Sequence, residues 1–340
     1  MTEATQQNPI AASDQFQLGI RLEGIFMPHA RRQREKFYTG SSGIKPWARF
    51  VHYTSAESAL KIIESKRVWM RNTMCMADYS EVMHGYYMLQ RLLLAVEPRK
   101  KQFCDALDAI WPNVATEAID LFNQWWANIR FSTYIVSISE HDDKEDLHGR
   151  LSMWRAFGGN VARVAVVLRL PWISAAPEVL NLMISPVAYL QEGEVQAVIE
   201  EVIGNIRTNG DFLLSVDRSL VARTVFMMLV AGVTCLKHEG FCEEREWRII
   251  YVTNLFPSPL MQPSIEVVGG IPQMVYKPPL DVRVSDGLAD LDLARMFDRL
   301  IVGPSEFSWS MYEAFTKALT AMGVEQAETR VCISGIPIRS

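Results

Sequence analysis

Several things are scarce in this 340-residue sequence, and each scarcity excludes something. The five cysteines (Cys75, Cys104, Cys235, Cys242 and Cys332) are odd in number, scattered and never spaced as CxxC. That removes a disulfide scaffold and a cysteine-rich zinc site. No apolar run is long enough for a bilayer: the strongest, Val225 to Leu236, is far short of the roughly 18–20 residues a spanning helix needs. The opening MTEATQQNPIAAS carries an early acid and no apolar centre, so it does not read as a secretory signal. Basic residues are not in excess (34 Lys and Arg against 39 Asp and Glu), which argues against a wholly basic nucleic-acid platform. There is no GxGxxG, GxxxxGK[ST] or GxSxG, so a Rossmann site, a P-loop and an α/β-hydrolase lose their support. These absences predict a cytoplasmic chain with no membrane partner.

What is present is a chain 49% hydrophobic, enough for a sizeable core. Residues 1–45 read as a polar lead with the basic run HARRQREK at His29 to Lys36. WARFVHYT (Trp47 to Thr54) is aromatic and β-branched, the profile of a strand. Thr54 and Glu57 have capping-box spacing before the helical AESALKIIESK. RVWMR is a short strand, NTMCMADYSEV a loop, and about 84–130 is helical. STYIVSIS is a strand, EHDDKEDLHG an acidic surface loop, LSMWRAF a short helix and VARVAVVLRL another strand. About 193–236 is helical, EREWRIIYV is a strand, and the C-terminal third alternates Pro-rich loops with short elements. Strands and helices mix without βαβ alternation, which predicts an α+β fold for a single domain over 46–340, with the two helical stretches as insertions.

Four groups could carry chemistry. On a strand from Glu244 to Val252, period two places Glu244, Glu246 and Arg248 on one face, charges that are costly unless the face lines a wet cleft. The alternative is an ion-paired edge strand. His52, Tyr53 and Thr54 stand at a strand end, where a rigid frame aims side chains. Asp78, Tyr79, Ser80 and Glu81 occupy a loop. Ser137 and Ser139 share a strand face, with Trp154 on the helix that follows. The acidic loop has metal-ligand residue types without ligand spacing, and no metal site is expected.

In this order the pieces resemble a bacterial family known as domain of unknown function 2971. They are His52-Tyr53-Thr54, Asp78 with Glu81, Ser137 with Ser139, Trp154 with Phe157, and Phe241, Glu244, Glu246 and Arg248. Ala77 stands where that family usually has Asn. The layout is also similar to that of the ADP-ribosyltransferases, which bind NAD in a cleft between small sheets. That likeness implies small mixed or antiparallel sheets forming a cleft. It also implies NAD as substrate, with His52 on the nicotinamide ribose and Glu246, seconded by Glu244, as the late acid. Tyr79 or Trp154 would be the stacking aromatic, and Tyr53, Thr54, Ser137, Ser139 and Arg248 would line the site. His52 and Glu246 are then expected to face one cleft, on neighbouring strands. The implied activity is ADP-ribosyl transfer to an unknown acceptor, protein or nucleic acid, or NAD hydrolysis, in a toxin or phage-defence setting. Two rivals stay open: a metal-dependent nuclease built on Asp78, Glu81, Glu244 and Glu246, and a non-catalytic module binding a nucleotide or protein. The oligomeric state is not readable.

Overall fold

Ten short segments assemble into one sheet. In chain order they are β1 (Trp47–Ser55), β2 (Met70–Asn72), β3 (Thr133–Glu140), β4 (Arg163–Pro171), β5 (Met183–Pro186), β6 (Glu246–Val252), β7 (Gln262–Val268), β8 (Ile271–Lys277), β9 (Phe297–Val302) and β10 (Val331–Ile333). The computed structural model describes residues 9–76, 81–156 and 161–337. The fold is mixed α and β with a mostly antiparallel open sheet; within that sheet β9 and β10 pair in parallel. One large sheet thus stands where small ones were expected.

The helices used below are α1 (Pro9–Phe26), α2 (Pro28–Tyr38), α3 (Ala56–Ser65), α4 (Glu81–Leu89), α5 (Glu97–Asp108), α6 (Val114–Phe131), α7 (Leu151–Ala156), α8 (Glu192–Thr208), α9 (Arg218–Thr234) and α10 (Ser308–Met322). The chain divides into two compact units. The first gathers described residues of 9–36, 81–126 and 188–239, so both helical stretches join the N-terminal segment there. The segment read as a polar lead forms α1 and α2, and α1 buries Leu22, Ile25 and Phe26. Within this unit α4 crosses α9 closely, and Met88, Leu92 and Leu236 share a small core.

The second unit holds the sheet. β3 is its pivot. One edge of β3 pairs with β6 over its whole length, Thr133↔Val252 to Ser139↔Glu246. The other edge is shared: β1 takes Ser139 and Glu140, and β2 takes Tyr134 and Ile135. The sheet therefore forks along β3 between Ile135 and Ser139. Phe50, Val136, Ile138, Trp247 and Tyr251 build the core on one face, continued under α3 and α10 by Val164, Val166 and Phe315. Val51, Tyr53, Ala165 and Val167 meet Met153 and Trp154 of α7 on the other.

Local chemistry corrects two boundaries. The cap of α3 is Ser55, whose hydroxyl accepts from the Ser58 N–H at 3.1 Å, rather than Thr54. β6 begins at Glu246, because Arg245 has φ of 45° and a 3₁₀ turn occupies Glu239–Glu244. A left-handed residue breaks strand alternation, so Glu244 does not share the Glu246–Arg248 face.

Candidate functional site

The sheet order decides which of the candidate residues meet. Ser139 lies across from Val51 on one side and Glu246 on the other; Ser137 lies across from Arg248. Cross-strand partners share a face, so Ser137, Ser139, Glu246 and Arg248 line one side of the sheet together. Glu246 Oε1 accepts from Ser137 Oγ at 2.5 Å and from Arg248 Nε at 2.9 Å, while its Oε2 takes a second Arg248 N–H at 3.2 Å. The face is not a wet cleft: Arg248 is 1% exposed and Glu246 5%. The two charges survive burial because they compensate each other and the serine supplies a further donor.

His52 follows Val51 and so turns to the opposite face, across β4 from Val166. The expectation that His52 and Glu246 face one cleft on neighbouring strands is thereby corrected: β3 lies between β1 and β6. The two meet only through Ser137. At the fork, where β1 has left β3 and β2 has not yet joined it, His52 Nδ1 donates to the Ser137 carbonyl at 2.9 Å. An imidazole thus replaces a missing strand hydrogen bond. Burial holds the His52 pKa below its usual value, so the ring is neutral near pH 7. A neutral ring that donates through Nδ1 keeps a lone pair on Nε2.

The other expected site residues divide. Tyr53 is buried, its hydroxyl accepts from the Arg150 N–H at 2.7 Å, and burial pushes its pKa up to about 12. Trp154 is a core residue, not a stacking platform: its ring meets Tyr53 edge-on at 4.9 Å and its Nε1 donates to the His148 carbonyl at 2.7 Å. Thr54 lies one residue before the end of β1, half-buried. Asp78, Tyr79, Ser80, Ala77 and Phe157, and the side chain of Glu81, lie outside the described residues. Among the described residues, no group of three His, Cys, Asp or Glu side chains is placed to share a metal ion. No helix there is long and apolar enough to cross a membrane.

The acidic segment after β3 is tied down rather than loose. Arg49 holds Asp143 at 2.7 Å, Asp146 at 2.7 Å and Asp298 at 2.5 Å. Burial works against that guanidinium, but the three carboxylates outweigh it and raise its pKa. His141 Nε2 reaches Asp146 at 2.9 Å, and burial keeps this imidazole neutral as well. Glu145 binds Arg150 at 3.0 Å and also pairs with Arg245.

These ties build an open groove of about 650 Å³ lined by Glu145, Arg150, Leu151, Ser152, Arg155, Cys242, Glu243 and Arg245. One wall is the start of α7, the other the turn that leads into β6. Arg150 is its frame: it donates to the carbonyls of Glu140, Glu243 and Glu244 and to the Glu145 carboxylate. Arg245 is half committed to Glu145, and Arg155 is exposed, with no carboxylate partner among the described residues. The sequence alone assigns none of these three arginines a role in a site. Arg245 had a visible signal, since it lies between the two acids of the E-x-E.

No protein-family model, no curated protein and no solved structure matches the chain. The functional reading therefore rests on the groove and the fork.

Proposed function

We propose that the groove beside the start of β6 binds a phosphate-bearing nucleotide, with NAD the member of that class to which the sequence motifs point. The observation that carries this reading is Arg155: an exposed guanidinium with no carboxylate partner among the described residues, lining a concavity of about 650 Å³ together with Arg245 and Arg150. That volume falls within the usual range of small-molecule sites. A pyrophosphate supplies the paired acceptors that guanidinium forks bind bidentately, and Ser152 adds a hydroxyl. The test is titration calorimetry with NAD, ADP-ribose and AMP. Binding should weaken roughly 10–100-fold in Arg155→Ala, the cost of one charge-assisted contact. Equal binding by Arg155→Ala, or none by the wild type at millimolar NAD, overturns the reading.

A second reading has its own support. Ser137 touches Glu246 through its hydroxyl and His52 through its carbonyl, so the motif pair implied for NAD cleavage converges on one residue. In that reaction the nicotinamide–ribose bond breaks with its electron pair leaving on nicotinamide. Water or an acceptor nucleophile then bonds the ribosyl carbon. Glu246, buried against Arg248, would have to be uncovered by substrate binding to stabilise the developing cation, a contact worth about 3–4 kcal/mol, while His52 positions Ser137. Nicotinamide release, followed by mass spectrometry with and without cell extract, separates binding from cleavage. Release that survives Ser137→Ala undiminished would remove the convergence from the mechanism.

A further inference from the structure

The last hairpin of the sheet ends in an edge whose hydrogen-bonding pattern can be worked out. β7 and β8 close on Gly269 and Gly270, with φ of 60° and 81°. A two-residue turn with both φ positive makes the flanking residues, Val268 and Ile271, exchange both of their main-chain bonds. Pairs then alternate, so Glu266, Ser264 and Gln262 also bond inward to β8. Pro263, Ile265 and Val267 turn their main-chain groups outward. β7 is the terminal strand of the sheet, so these groups have no strand partner among the described residues.

The side chains agree with an unfinished edge. Ile265 is 72% exposed and Val267 58%, with Met274 directly across from Ile265 on the same face. Natural edges are usually blunted by proline, inward charge or a bulge. Here Pro263 protects one end only, and Glu266 points to the other face, where Lys277 pairs with it.

We propose that β7 pairs antiparallel with β7 of a second copy of this chain, about a two-fold axis through Ile265. Three neighbouring registers compete. With the axis at Ile265, each Ile265 N–H donates to the partner's Ile265 carbonyl and each Val267 N–H to the partner's Pro263 carbonyl: four bonds by geometry, with proline only ever accepting. With the axis at Ser264, both prolines face positions where a donor is needed, and only two bonds remain. With the axis at Glu266, four bonds form but Glu266 lies directly opposite the partner's Glu266, a destabilising like-charge pair. Proline and charge together select the Ile265 register. It also sets Ile265 against its own copy, Val267 against Pro263, and Ser264 against Glu266. This self-complementarity favours a second copy over an unrelated strand.

Light scattering after size exclusion, over a roughly hundredfold range of concentration, reads the association by mass action. The wild type should pass from monomer to dimer, while Ile265→Lys and Val267→Pro should stay monomeric with unchanged melting temperatures. To read the register, single cysteines are placed in a chain whose exposed Cys75 and Cys242 are serine. Ile265→Cys should form an intermolecular disulfide on mild oxidation and Ser264→Cys should not. A wild type monomeric throughout, a dimer that survives Ile265→Lys, or a cross-link preferring position 264 overturns the proposal.

Discussion

At the scale of single residues, the Glu246–Arg248 pair has the clearest consequence. In a wet cleft Glu246→Gln would be almost free. With Arg248 fully buried, the substitution instead leaves a guanidinium facing a neutral amide. Breaking one partner of a buried ion pair costs about 3–5 kcal/mol. Urea unfolding should show a lowered midpoint at unchanged slope, and Glu246→Gln combined with Arg248→Met should recover part of the loss. A Glu246→Gln protein with the wild-type midpoint would mean that Arg248 is held by its other contacts. Ser137→Ala removes a single hydrogen bond and should cost only about 1 kcal/mol. It is therefore the cleaner probe of turnover. The serine pair, its shared face and the acid were legible from alternation alone. Their burial was not, because alternation sorts side chains to a face without saying what covers it.

At the scale of elements, close approach sets the limits. A Cβ on Gly85 of α4 would come within 2.7 Å of Val233 Cα and the Val233 carbonyl oxygen on α9. Neither is a side-chain tip that can swing aside, so Gly85→Ala must push the helices apart. A destabilisation of about 1–3 kcal/mol is expected, read as a lower melting temperature. Gly303, just after β9, is similar: its Cβ would meet the Arg163 carbonyl at 2.9 Å and the Trp154 ring at 2.9 Å. Helical periodicity announced the stretch from His84, but not its interruption. A π-helical turn at Gln90–Leu94 separates α4 from α5, with Leu92, Leu93 and Leu94 all buried. The β7–β8 hairpin escaped the sequence reading because its prolines suggested loop. Both face away from the β7–β8 ladder, where no donor is called for, and Gly-Gly between two alternating runs was the overlooked signal.

At the scale of the whole molecule, pH gathers several buried groups into one profile. Burial pushes the pKa of His29, His52 and His141 below 6.5 in the folded chain. Between that value and the lower folded pKa, the unfolded chain binds the extra protons. Stability is therefore complete above about pH 6.5 and falls as pH falls, by at most about 1.4 kcal/mol per pH unit for each histidine. A second decline begins below about pH 4.5. Glu145 and Asp146 resist burial through Arg150 and Arg49, which hold their pKa values down. Their contribution is present above the unfolded carboxylate range and lost as they protonate. Urea midpoints between pH 7.5 and 5.5 check the first decline, which His141→Gln should make shallower. An unchanged slope in that variant would show that His141 is equally protonated in both states.

The sequence by itself determined the local things. Apolar alternation marked β1, β3, β4 and β6, polarity at Ser137, Ser139, Glu246 and Arg248 marked a special face, and dispersed cysteines excluded a disulfide framework. Each of these depends on neighbours a few residues away, where period and chemistry are directly visible. Only the tertiary structure decided that β3 lies between β1 and β6, that the sheet forks at Ser137, and that His52 mends the gap. It alone brought Arg245 to Glu145, 100 residues apart, to close the groove. Strand order and long-range ion pairs are set by the packing of the whole core, and no local pattern encodes which of several compatible strands will be the neighbour.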